Sequence, residues 1–83
     1  MKSLSKSYKM LEAVIHSGGM SISEMAEFLE TSESCVKNYI NFFRNSKKGH
    51  DYVPIRVENK MLLVDQWNVH FALAAIEEKR KSL

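Results

Sequence analysis

One cysteine, one proline and three glycines in 83 residues leave this chain few ways to be stapled, kinked or sharply turned. The lone Cys35 excludes an internal disulfide and any zinc site built from cysteine pairs, and it fits a reducing cytoplasm. His16, His50 and His70 lie far apart and show no spacing of a metal site with cysteine or carboxylate, so neither metal nor cofactor is expected. No apolar run approaches the roughly 18–20 residues that cross a bilayer, and neither end has a basic start followed by a long apolar stretch. A soluble, cytoplasmic protein is the expectation. A Gly-rich phosphate loop, a Ser/His/Asp order and a paired-acid arrangement are also missing, which argues against an enzyme. The length suits one small domain, and so small a core is marginally stable unless a partner chain adds to it.

What is present is a pair of capped helices. Ser21 followed by Glu24 reads as a capping box, which starts a helix at about Ile22. Ile22, Met25, Ala26 and Leu29 then recur at one-face spacing, while Ser23, Glu24, Glu27 and Glu30 stay wet. Ser32 is a second N-cap, and Val36, Tyr39, Ile40 and Phe43 give the next helix its own apolar stripe. Only Glu30-Thr31 links the two, and the small Ala26 lets helices cross closely. This is the layout of a helix-turn-helix, in which the second helix keeps one face free for a major groove.

On that free face fall Ser34, Lys37, Asn38 and Asn41, with Ser32 and Glu33 at the amino end and Arg44 at the other. Asn pairs bidentately with adenine, Lys donates to guanine, Glu accepts from cytosine, and a capping Ser suits a backbone phosphate. Charge is partitioned in the same sense. Residues 11–36 carry Glu12, Glu24, Glu27, Glu30 and Glu33 with no Lys or Arg, whereas residues 37–60 carry Lys37, Arg44, Lys47, Lys48, Arg56 and Lys60 against Asp51 and Glu58. Such clustering reads as a phosphate footprint despite a net charge of only +2. Glutamates near DNA would repel phosphate, so Glu24, Glu27 and Glu30 must point away or affinity is modest.

The run Ile22-Ser23-Glu24-Met25-Ala26-Glu27-Phe28-Leu29, continued by Ser32, Val36, Ile40 and Phe43, resembles that of bacterial winged helix-turn-helix regulators of the DeoR-like kind, over about residues 8–64. Two positions depart from the family pattern. Glu30 stands where glycine is frequent and Thr31 where an apolar residue is usual, which implies a different or strained turn at Glu30. The resemblance implies a mainly α fold with a small β-hairpin: a three-helix core, a wing and, here, an additional C-terminal helix.

The flanks fit that layout. Tyr8, Leu11, Val14 and Ile15 space as a first helix, with Ser5 or Ser7 as cap and Gly18-Gly19 as stop, and Met20 as a very short strand. Residues 44–51 read as a polar loop. Residues 53–57 and 61–64 read as two strands joined by Glu58-Asn59-Lys60, with Asn59 suited to a positive φ and Pro54 marking an edge. Arg56 and Lys60 would lie along or at the tip of this wing. Asp65 caps a last helix over 66–81.

At about 100° per residue, Trp67, Phe71 and Ala74 occupy one side of that helix, and Val69, Leu73 and Ile76 another. One domain covers one side. The expectation is therefore a domain over 1–64 and a C-terminal helix over 65–83 that pairs with a second copy through Trp67, Phe71, Leu73, Ala74 and Ile76, setting two recognition helices on successive major grooves. Glu77-Glu78 before Lys79-Arg80-Lys81 simply complements the helix dipole. Cys35 lacks a second thiol for a redox role, and the five methionines with Phe28, Phe42 and Phe43 read as core filling.

The function expected is sequence-specific binding of double-stranded DNA as a small homodimeric repressor of a phage, plasmid or bacterial operon, with no membrane or small-molecule partner. Two alternatives stand beside it: an excisionase-like architectural factor that bends DNA, and a protein-interaction adaptor that docks partners through its acidic or apolar helices.

Overall fold

Local chemistry sets most helix ends. The structure, a computed structural model, describes residues 4–46 and 52–81. α1 (Lys6–Ser17) begins after Ser5, whose hydroxyl meets that of Ser7 at 3.1 Å and makes no capping bond. It ends at Gly18, which takes φ 79° and donates its N–H to the Val14 carbonyl at 3.0 Å. β1 (Met20–Ser21) follows, and Ser21 doubles as the N-cap of α2 (Ile22–Phe28). Its hydroxyl accepts from the Glu24 N–H and donates to the Glu24 carboxylate, both at 3.0 Å, so the capping pair closes hydroxyl to carboxylate.

α2 ends in a Schellman motif. Thr31 N–H reaches the Ala26 carbonyl at 2.9 Å and Glu30 N–H that of Glu27 at 3.1 Å, with Glu30 left-handed at φ 55°. Lys6 Nζ donates to the Glu30 carbonyl at 3.3 Å and steadies the turn from α1. Ser32 then caps α3 (Glu33–Asn45), accepting from the Cys35 N–H at 3.2 Å. The sequence places Arg44 and Asn45 in a loop; instead α3 runs through both, and the Ser46 hydroxyl bonds the Phe42 carbonyl at 2.5 Å to close the last turn.

The strands are shorter than their alternating pattern suggests. β2 (Arg56–Glu58) pairs antiparallel with β3 (Met61–Leu63), and β1 pairs on the other side of β3, giving the order β1-β3-β2. Asn59 and Lys60, at φ 51° and 63°, form the turn between them, as a two-residue hairpin loop of primed type requires. Val53 and Ile55 are buried but outside the ladder. Ile55 N–H bonds the Val53 carbonyl at 2.8 Å around Pro54, and Val53 N–H goes to the Phe43 carbonyl at 3.1 Å, so this segment is a γ-like turn stapled to the end of α3.

The last helix also departs from expectation. Residues Gln66–Asn68 form one 3₁₀ turn before α4 (Val69–Lys81), and Asp65 makes no side-chain cap because its carboxylate is taken by Arg56. Ala72, Ala75 and Ile76 turn inward and share one core with α1, α2, α3 and the sheet. Tyr8 of α1 meets Phe43 of α3 edge to face at 5.3 Å, Lys79 lies 5.5 Å over the Tyr8 ring, and Arg80 pairs with Glu12. The fold is thus mainly helical with a small three-stranded antiparallel sheet, and no described polar or charged residue is buried. Among the described residues no helix is long and apolar enough to cross a membrane.

Candidate nucleic-acid interface

α3 owes its position to its apolar stripe. Val36, Ile40 and Phe43 are buried, which anchors one side of the helix and turns the opposite side out. Ser32, Glu33, Ser34, Lys37, Asn38, Asn41 and Arg44 are all exposed, so the second helix keeps an open polar face. Lys37 and Arg44 form no ion pair with any described residue, and neither does Lys60 at the hairpin tip.

Two clefts flank this face. The larger, about 620 Å³, lies between Asn41, Arg44 and Asn45 of α3 and the segment from Tyr52 to Val57, with Asp65 and Asn68 at its end. The smaller, about 270 Å³, has Lys37, Asn41 and Arg44 on one wall and Val57 on the other, over Ile22 and Ile40. Asn41, Arg44 and Val57 line both, so the two clefts adjoin in a channel between helix and hairpin that is polar in its larger part and mostly apolar in its smaller.

Arg56 is a different case from the other cations. It pairs with Glu58, two residues along the same strand and hence on the same face, and with Asp65 at 2.9 Å. Two carboxylates around one guanidinium leave no net positive charge there to offer a phosphate. The contact role expected of Arg56 is therefore opposed by its own neighbours, while Lys60 is unhindered. Lys47 and Lys48 lie outside the described residues.

Sequence reasoning missed Asn45, Tyr52 and Asn68, which help line the larger cleft. Asn45 was legible in principle, since it follows Asn41 by one helical turn. Tyr52 and Asn68 were not, because only the fold brings the end of α3 against them. Tyr52 is held there by an edge-to-face contact with Phe71 at 5.8 Å.

Cys35 is half-buried in the first turn of α3, and its thiol is held below the ordinary value by hydrogen bonding to Ser32, with Thr31 adding in the same direction. Among the described residues no three of His, Cys, Asp and Glu gather as a metal site. A third hollow of about 640 Å³, floored by Ala13, Met20 and Phe28, shares no residue with the channel beside α3.

The surface expected to pair with a second copy is only partly available. Ile76 is buried in the core of its own chain and Phe71 is engaged by Tyr52, because α4 turns the Ala72, Ala75 and Ile76 side toward α1. Trp67, 76% exposed, Leu73 and Ala74 remain outside. No protein-family model, curated protein or solved structure matches the chain.

Proposed function

We propose that this chain is a winged helix-turn-helix protein that binds specific double-stranded DNA and represses transcription by occupying a promoter, without enzymatic activity. α2 and α3 are the helix-turn-helix, α3 is the recognition helix and the β2-β3 hairpin is the wing. One observation carries the reading: the exposed face of α3 holds base-reading amides beside two cations free of any described partner, and it borders the hairpin across a shared channel. With the α3 face in the major groove, a duplex backbone would meet Lys37 and Arg44 beside the channel and Lys60 at the hairpin tip.

The outward residues Leu73 and Ala74 of α4, with Trp67 in the 3₁₀ turn before it, support a homodimer, through a narrower patch than the sequence suggests. An isologous pair would match a near-palindromic site with half-sites about 34 Å apart.

Charge reversal tests the function. Lys37→Glu and Arg44→Glu alter exposed side chains, so both variants are expected to fold, and each is expected to reduce duplex binding at least tenfold in fluorescence anisotropy. Unchanged binding in both variants removes α3 as the DNA-facing element. An adaptor reading draws support from the exposed Glu24, Glu27 and Phe28 of α2. Cellular activity kept by variants that no longer bind DNA would favour the adaptor.

A further inference from the structure

The outward residues of α3 are sorted by chemistry. At about 100° per residue, Ser34, Asn38, Asn41 and Asn45 fall within about 60° of one another, directly opposite the buried Val36, Ile40 and Phe43. Lys37 and Arg44 fall together on one edge of that stripe, with Glu33 beside them at the amino end, and they line the smaller cleft next to Val57 of the hairpin together with Asn41 at the border of the stripe. The three amide side chains make no hydrogen bond with any described residue. They cap nothing and brace no turn, and Asn38 and Asn41 sit inside α3 although asparagine is only a modest helix former.

We infer that α3 selects A·T base pairs in the major groove through Asn38, Asn41 and Asn45, and that Lys37 and Arg44 hold the backbone without reading sequence. This rests on the DNA-binding reading above and specifies its target. A primary amide presents one donor and one acceptor in a plane, which matches the N7 acceptor and N6 donor of adenine. Guanine shows two acceptors on the same edge, N7 and O6, and would leave the amide oxygen facing another oxygen. A guanidinium centred on the stripe would favour guanine, but Arg44 lies at its edge beside Lys37. From Asn38 to Asn45 the helix rises about 10 Å, or about three base steps, so the stripe spans a window of three to four base pairs.

The test is selection of duplexes from a randomised pool by the full chain. Adenines are expected at two or more positions within one such window. Replacing the adenine opposite Asn41 by 7-deazaadenine, which removes the N7 acceptor, is expected to weaken binding about tenfold. Asn41→Ala and Asn38→Ala should each lose about tenfold in discrimination between the selected duplex and one carrying G·C at the matching position, with binding to unselected duplex unchanged. Lys37→Ala should weaken both duplexes equally. Selected sequences without adenine in the window, or discrimination intact in both asparagine variants, overturn the inference and leave DNA binding standing. Failure of the wild-type chain to bind any duplex at low salt overturns the functional reading, and the inference with it.

Discussion

Glu30 shows how much a single residue can reveal. It occupies the left-handed position that closes α2, φ 55°, where a side chain costs roughly 1–2 kcal/mol over an ordinary backbone conformation. The Thr31 to Ala26 bond and the Lys6 ammonium on the Glu30 carbonyl hold it there. Glu30→Gly is expected to stabilise the fold by about 0.5–1 kcal/mol after the loss of chain entropy is counted, raising Tm by several degrees in thermal unfolding. A lower Tm would mean that the glutamate side chain contributes more than its conformation costs. Cys35 offers a pH-dependent check on the neighbouring cap. Hydrogen bonding to Ser32 and Thr31 favours the thiolate, so alkylation by iodoacetamide should reach half its plateau rate at a lower pH than for a free cysteine. Ser32→Ala removes the larger of those interactions and should move the midpoint up; an unmoved midpoint contradicts the assigned cause.

At the scale of elements, the hairpin separates stability from binding. Asn59 and Lys60 both have positive φ, and glycine is the residue best suited to the second of these positions in a primed turn. Lys60→Gly should therefore stabilise the hairpin by about 0.5–1 kcal/mol while weakening duplex binding and lowering its salt slope by about one. Unchanged duplex affinity and salt slope would place Lys60 outside the contact surface. The same elements show which parts of the fold were legible. Ser21, Ser32, Gly18 and Asn59 announced their caps and turns because those bonds close within a few residues. Partners distant in sequence decided the rest. Val53 reads as a strand residue, yet its N–H is claimed by the Phe43 carbonyl, and Asp65 reads as a helix cap, yet its carboxylate is claimed by Arg56. Lys37, Asn38, Asn41 and Arg44 were legible as an outward set because burial of the opposite stripe requires it. The compensation of Arg56 was not, since Asp65 is nine residues away along the chain.

Across the whole molecule, α4 belongs to the common core, yet Leu73 on it and Trp67 in the turn before it stay in solvent, 51% and 76% exposed. A lasting interface buries about 800 Å² and roughly 20–30 residues per partner, and with Phe71 and Ile76 engaged within the chain, self-association without DNA should be weak. The single tryptophan reports it directly. Emission of Trp67 should shift to the blue as protein concentration rises into the high micromolar range, and Leu73→Glu should abolish the shift; concentration-independent emission contradicts pairing through α4. The central claim concerns the face where Lys37 and Arg44 of α3 border the hairpin. Its most direct test is titration of the full chain with promoter-derived and random duplexes across a range of salt. With Lys37, Arg44 and Lys60 as phosphate partners, log K should fall against log salt with a slope of about −3 per protomer, and the promoter duplex should bind more tightly throughout. No binding at low ionic strength, or affinity indifferent to salt, would contradict the account.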